Sequence, residues 1–368
     1  MTSEIKYNLM RISIAMCTFN GAQYLQKQLK SFVSQTYPPY ELVVCDDGST
    51  DATLALIESF AEQATFPVRI FKNERNLGST KNFEKAIGIC DGDLIALSDQ
   101  DDEWYSDKLA RMHRLFEELP QALAAFSDAD IIDDDSVFVG RKLWKSVCFS
   151  AAKKIPHVDT GIVSSLFRLH YIATGATMVF RSDLRGQFTP IPDSWPHDAW
   201  IAWISALRGG LAPLPAATIR YRVHPQQQFG AAPQSLANQL ASARKNADYF
   251  RLVATRLKVL QLYLQQHIED KQLAKFIPDL DAEIRHLEGR ASLTGSILHR
   301  ARWILVMAGI PAIRTRANLH GIGCVHRLPG NGDTERQKQY IAADSGDLRR
   351  PGLSQCSYSL PNSESSRR

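Results

Sequence analysis

Between Arg11 and about Leu119 the chain repeats one pattern four times: a short apolar run, a polar turn rich in Asp, Asn and Gly, then a helix-spaced segment. The runs are Ile12–Met16, Glu41–Cys45, Val68–Phe71 and Leu94–Leu97. After the first, Tyr24, Leu25, Leu29, Phe32 and Val33 recur at helical spacing, and Tyr37-Pro38-Pro39 ends that helix because proline lacks the N–H. Leu54, Ile57, Phe60 and Ala61 mark a second helix, and Phe83–Ile89 a third. Strands alternating with helices of this length imply right-handed crossovers. The expected fold class is therefore α/β: a Rossmann-like, mostly parallel sheet flanked by helices, covered on both faces.

Downstream, Ala122–Phe126, Ile172–Phe180 (broken by Gly175) and Thr218–Val223 read as strands. Asp198–Leu207 reads as a helix entered through Trp195-Pro196-His197. From about Pro233 to Leu287 the pattern is helical, with Leu236, Leu240, Phe250, Val253, Leu257, Leu260 and Leu264 forming one apolar stripe. Trp303–Ile313 is apolar and flanked by arginines, which suits either one more buried helix or an interfacial segment on an anionic membrane. Beyond Pro329 large apolar residues are scarce, so a disordered tail is expected. The expected organisation is a catalytic domain over 1–230, a helical C-terminal extension over 231–326 and a tail over 327–368.

A net charge of +4 over 368 residues does not mark a nucleic-acid binder. The six cysteines contain no CxxC pair, against a zinc or disulfide framework. With no signal-like N-terminus and no stretch near the ~20 apolar residues of a span, a reducing cytoplasmic setting is expected. The second reading of Trp303–Ile313 would add contact with the inner face of the membrane.

In an open parallel sheet, ligands bind at the carboxyl ends of the strands. Those ends carry Thr18, Phe19, Asn20 and Gly21; then Asp46, Asp47, Gly48, Ser49, Thr50 and Asp51; then Asn73, Arg75, Asn76 and Gly78; then Ser98, Asp99, Gln100, Asp101 and Asp102. Two acidic clusters side by side repel, so something cationic should offset them. Carboxylates without thiol or imidazole beside them suit Mg²⁺ or Mn²⁺, completed by phosphate oxygens. A nucleoside diphosphate could then sit across the strand ends, with Phe19 as platform, Asp47 accepting from a base N–H and Asp99 from ribose. Asp51 is placed to cap the following helix, and Asp46 reads as structural. GxGxxG, GxxxxGK[ST], EF-hand and GxSxG patterns are absent. A receiver domain would need an acidic pair after the first strand, where Cys17-Thr18 stands.

The series CTFNGAQYL, ELVVCDDGSTDAT, NERNLGSTKNFEKAI and GDLIALSDQDDEWYSDKL resembles the family 2 glycosyltransferases of the GT-A fold. PHDAW at Pro196–Trp200 and YRVHPQQQFGA at Tyr221–Ala231 resemble a non-processive subgroup that builds bacterial surface polysaccharides and includes rhamnosyltransferases. The processive signature QxxRW is absent after Asp198. The resemblance implies a donor site of Thr18, Phe19, Asn20, Asp47, Asn76, Lys81 and Asp99. For Lys81 a solvated helix face is the competing reading. It also implies an Mn²⁺ or Mg²⁺ site of Asp101, Asp102 and His224, though a lone histidine after a strand can equally be structural. Asp198 would be the catalytic base, a role compatible with a first-turn helix acid. The implied reaction is inverting transfer of a sugar, rhamnose among the candidates, from a UDP- or dTDP-linked donor to a glycan or polyprenyl-linked saccharide. The alternative is an inactive relative that binds nucleotide or glycan as a scaffold.

Overall fold

The computed structural model describes residues 9–150, 160–224 and 243–292. Four strands, β1 (Ile12–Thr18), β2 (Glu41–Asp46), β3 (Val68–Lys72) and β4 (Leu94–Ser98), pair in parallel in the order β3-β2-β1-β4. Helices α1 (Ala22–Val33), α2 (Thr53–Ala61) and α3 (Ser79–Ile89) make the crossovers, and α4 (Lys108–Glu118) follows β4. Alternate residues of the strands feed opposite cores, since both faces of a parallel sheet are covered. Ile12, Ile14, Met16, Leu42 and Val44 pack with Leu25, Leu29, Phe32, Met112 and Phe116. Ala15, Val43, Cys45, Ile95 and Leu97 pack with Phe83, Ala86 and Ile87 on the other face.

Past β4 the sheet becomes mixed. Its full order is β3-β2-β1-β4-β8-β6-β9-β5, with β7 paired to β6. Here β5 is Glu103–Trp104, β6 Ala124–Ile132, β7 Phe138–Lys142, β8 Met178–Arg181 and β9 Leu211–Arg222. β8 runs antiparallel to both β4 and β6, β5 antiparallel to β9, and β6 parallel to β9. The α/β expectation thus holds, while strand sense past β4 departs from mostly parallel. No crossover helix is needed where antiparallel neighbours meet.

Several downstream expectations are corrected in extent. Ile172–Phe180 is not one strand: Gly175–Thr177 forms a 3₁₀ turn and only Met178–Arg181 is extended. β6 runs on through Ile132, and β9 starts seven residues before Thr218. Short helices α5 (Leu143–Ser146), α6 (Thr160–Leu169) and α7 (Arg185–Phe188) precede α8 (His197–Leu207), which is buried along its whole length.

The helical extension comprises α9 (Ala243–Gln266), α10 (Lys271–Ala274) and α11 (Ile277–Ser292). Val253, Leu257, Leu260 and Leu264 of α9, with Leu280, Ile284 and Leu287 of α11, join the same apolar core as Trp195, Trp200 and Trp203. α9 is thereby fixed against the segment that leads into α8. Leu236, Leu240, Trp303–Ile313 and the tail lie outside the described residues.

Candidate active site

The turns after β1 and β2 are knitted together by their own acids. Asp46 is fully buried and accepts from Thr18 Oγ1 (2.9 Å), Gly48 N (3.1 Å) and Ser49 N (2.8 Å), a structural use of its charge. Asp51 accepts from Thr53 N (3.0 Å) at the start of α2 and from Ala22 N (3.1 Å) at the start of α1. One carboxylate thus serves two helix N-termini, where negative charge is favoured. Asn20, at φ 48°, accepts from Thr50 N at 2.8 Å. Gln100 clamps Phe19 by a two-way amide contact (2.9 and 3.0 Å) and leaves its ring 42% exposed over the strand ends.

Asp47 is buried and accepts from Asn73 Nδ2 (2.8 Å), Leu77 N (2.7 Å) and Gly78 N (2.9 Å). Asn76 donates to the Asp47 carbonyl at 3.2 Å. The Asp47 carboxylate therefore shapes the turn before α3, where Gly78 takes a positive φ of 77°.

The acidic segment after β4 is held from behind. Arg222, fully buried, donates through Nε to the Asp101 carbonyl (2.8 Å), through Nη1 to the carbonyls of Asp133 (2.7 Å) and Asp134 (3.0 Å), and through Nη2 to Glu103 Oε1 (2.7 Å) and Ser136 Oγ (3.0 Å). Its own N–H meets Asp102 Oδ1 at 2.9 Å. Lys108 is equally buried, donates to the Ala176 carbonyl (2.6 Å) and lies 3.5 Å from the centre of the Trp104 ring. Burial holds Lys108 well below the usual lysine range, against the pull of Asp102 and Asp99. Burial, then Asp101 and Asp198, pushes Asp99 up to about 8. The cationic offset expected from the acidic clusters is thus partly built in.

His224 Nε2 meets Asp101 Oδ2 at 2.9 Å, and its ring tilts against Tyr24 at 5.0 Å. His224 Nδ1 and Asp102 Oδ2 are buried without a hydrogen-bond partner among the described residues. An orphaned carboxylate oxygen on the acidic turn and an orphaned imidazole nitrogen on the residue paired with Asp101 fit a divalent cation. Asp101 and His224 face each other for such a role. Asp102 is only 1% exposed, and one of its oxygens is committed to Arg222. Among the described residues no three His, Cys, Asp or Glu side chains converge as a ready ligand set.

Asp198 lies in the first turn of α8. Its Oδ2 accepts from Tyr171 Oη (2.5 Å) and Gly175 N (2.8 Å), and its Oδ1 from Ala199 N (2.7 Å). A Cβ on Gly175 would sit 3.0 Å from His197 Nε2 and 3.4 Å from Asp198 Oδ2, so only glycine lets the 3₁₀ turn approach. His197 stacks on Phe83 with ring centres 3.9 Å apart. Asp198 is close enough to raise Asp99, and Asp47 and Asp99 together act on the Cys17 thiol. The acids of β2, β4 and α8 therefore share one neighbourhood.

Lys81 has protein partners in this structure. Its ammonium is committed to Glu84 (2.8 Å), the Ile191 carbonyl (2.6 Å) and Asp193 (3.4 Å), tying α3 to the loop before α8. Arg222, Lys108, Tyr171, Gly175 and Gln100 were not singled out from the sequence as site residues. Buried Arg222 inside a strand was the one detectable anomaly, because an unpaired charge is not buried.

Residues 13–184 match the model of the family described as glycosyl transferase family 2. An uncharacterised glycosyltransferase of Nostoc is 25% identical over 246 residues, 65% of this chain and 73% of that protein. One from Haemophilus influenzae is 25% identical over 225 residues, 59% of this chain and 66% of that protein. Among solved structures, residues 1–349 of S. aureus TarS, in complex with UDP-GlcNAc, superpose with a TM-score of 0.51 at 19% identity, covering 77% of this chain and 79% of that one. The likeness to TarS is one of fold.

Proposed function

The chain belongs to glycosyl transferase family 2 through residues 13–184, and from that premise we propose that it transfers a sugar from a nucleoside diphosphate to an acceptor hydroxyl with inversion. The observation that carries this reading is the position of Asp198. It stands at the mouth of α8, fixed by Tyr171 and Gly175 and electrically coupled to Asp99 at the β4 strand end.

Asp198 Oδ2 holds two donors, whereas Oδ1 holds one and keeps a lone pair for the acceptor hydroxyl. As the acceptor oxygen bonds to the anomeric carbon, its proton passes to Asp198 Oδ1. The bond from that carbon to the diphosphate breaks on the opposite face, and its electron pair leaves on the phosphate oxygen. A base fixed in this way has little reorganisation to make. Phe19 offers the base a platform, and Asp99 accepts from ribose. Asp47, Asn76, Thr18 and Asn20 act by shaping the two turns that receive the nucleotide. A divalent cation bound by Asp101 and His224, with Asp102 behind them, would neutralise charge growing on the diphosphate as a Lewis acid.

The finer reading is a deoxyhexose such as rhamnose, moved to a saccharide or lipid-linked acceptor in bacterial surface polysaccharide synthesis. It rests on the resemblance of PHDAW and YRVHPQQQFGA. Asp101, Asp102 and Asp198 are all in place, which counts against an inactive scaffold. No helix among the described residues is long and apolar enough to cross a membrane. Contact with a membrane face depends on Trp303–Ile313. A thermal-shift screen of nucleoside diphosphates and their sugars, with and without Mn²⁺, tests the donor class. Asp198→Asn should keep nucleotide affinity and lose turnover by at least ~10²; surviving turnover would move the base elsewhere.

A further inference from the structure

The buried or half-buried arginines of the described residues share a habit: each bonds through its Nη atoms. Arg69 reaches Asp91, Arg181 the carbonyls of Phe116 and Pro120, Arg185 that of Cys90, Arg208 Asp270, Arg220 Glu103 and Arg222 Glu103. Arg256 departs from it. On α9, Arg256 donates only through Nε, to the Ser194 carbonyl at 2.6 Å. Trp195 Nε1 returns a bond to the Arg256 carbonyl at 3.0 Å. This two-way latch fixes the guanidinium beside Ser194 and Trp195, a few residues ahead of Asp198, with both Nη groups unbonded among the described residues.

Its surroundings are aromatic and basic. Tyr249, one face along α9, is 46% exposed. Arg290 of α11 lies 4.0 Å from the centre of the adjoining Phe250 ring and has no carboxylate partner among the described residues. Arg256 and Arg290 both pull the Tyr249 phenol down against its burial. Of the acids of α11, Glu283 is committed to His170 at 3.2 Å and Glu288 to Lys258 of α9. Asp198 attracts Arg256 without pairing to it. A half-buried cation whose fork points at no carboxylate suits a planar or tetrahedral oxyanion bound through two parallel N–H groups.

We infer that Arg256, with Tyr249 and Arg290 beside it, is the acceptor subsite, and that the acceptor carries a phosphate or carboxylate within reach of the hydroxyl presented to Asp198. This rests on Asp198 being the base and gives the helical extension a role in acceptor choice. Tyr249 offers a sugar face a platform, and the Nη fork fixes the neighbouring anion.

The test uses the full chain and octyl glucoside, its 6-phosphate and octyl glucuronide as probes, in binding and transfer assays. The anionic probes should bind better than the neutral one by about 10- to 100-fold, the range of charge-assisted hydrogen bonds. Arg256→Gln should erase that margin, Arg256→Lys should keep part of it and Arg290→Gln should reduce it. Nucleoside diphosphate affinity should hold in all three, and melting temperature should fall by no more than a few degrees in the Arg256 variants, the worth of the lost Ser194 bond. Arg251→Gln, which removes an equal charge from the exposed face of α9, should leave the margin intact. A preference for the 6-phosphate over the glucuronide assigns phosphate, and the reverse assigns carboxylate. Equal binding of neutral and anionic probes, or a margin that survives Arg256→Gln, overturns the inference. Nucleotide binding with neither sugar transfer nor donor hydrolysis in the wild type would sink the transferase reading instead, while leaving the binding margin readable.

Discussion

Replacing Arg222 by methionine tests whether the acidic segment is held by one buried cation. The side chain is fully buried and donates five hydrogen bonds. Methionine fills much of the volume but strands the carbonyls of Asp101, Asp133 and Asp134 and removes one partner of Glu103. Breaking a buried ion pair from one side costs about 3–5 kcal/mol. Glu103 keeps Arg220 at 2.9 Å, which draws the figure toward the lower end, and the stranded carbonyls draw it back. A loss of about 4 kcal/mol is therefore expected, or roughly 10 °C in melting temperature for a domain of this size. Urea melts monitored by circular dichroism read the first, and calorimetry the second. Arg220→Met is the internal control: its side chain is 35% exposed, and its ion pair should be worth less than about 1 kcal/mol. If the two variants melt alike, the strap from β9 to the acidic turn is not what holds that turn, and the argument fails.

Tyr171→Phe should lower turnover about tenfold through loss of one bond to a charged carboxylate, with nucleotide affinity held; unchanged turnover would free the base from its second strut. Asp101→Ala should abolish Mn²⁺-dependent nucleotide binding, read by titration calorimetry, and unaltered binding would remove the cation assignment. His197 is held below its ordinary 6.5 by burial, with Asp198 opposing. The unfolded chain therefore takes up the proton first, and stability should be lost as pH falls below about 6.5. Asp99, pushed up to about 8, acts with the opposite sign over the same range, so the His197 contribution is read as the difference between the wild-type and His197→Phe melting curves from pH 7.5 to 5, the wild type losing more stability on acidification.

The first half of the sheet was readable because each strand there is bounded by a turn and followed by an amphipathic helix. The second half was not. β5 has two residues, too few for a period, and β7 reads Phe-Val-Gly-Arg-Lys with every residue exposed. Their place is fixed by pairing with β9 and β6, a long-range matter that no local window records. The Ile172–Phe180 run looked extended because apolar residues surround Gly175, yet that glycine is there to let a 3₁₀ turn approach Asp198. Acids at strand ends brought Asp47, Asp99 and Asp101 forward, while Asp198 and His224 came forward through the family resemblance of PHDAW and YRVHPQQQFGA. Neither could bring forward Lys108 or Tyr171, whose importance lies in which atoms they touch. For Lys81 the charge was legible and its partners Glu84, Ile191 and Asp193 were not.

Lys108 links the two halves of the site. Its ammonium, drawn by Asp99 and Asp102, donates to the Ala176 carbonyl, and the N–H of the preceding Gly175 holds Asp198. The acidic turn after β4 and Asp198 at the head of α8 are thereby linked through a single buried side chain. With Lys108 and Arg222 both engaged on the protein side, neither cation is available to a leaving diphosphate. The face toward the substrate keeps Asp101 and Asp198 beside Asp99, whose carboxyl is pushed up to about 8 by burial and by neighbours that leave no room for another negative charge, and a diphosphate would be disfavoured there unless a further positive charge arrived with it. The arrangement thus explains on electrostatic grounds why the acids alone would not bind a nucleoside diphosphate, and why the His224–Asp101 pair at the front of the turn is the place where an added cation would act.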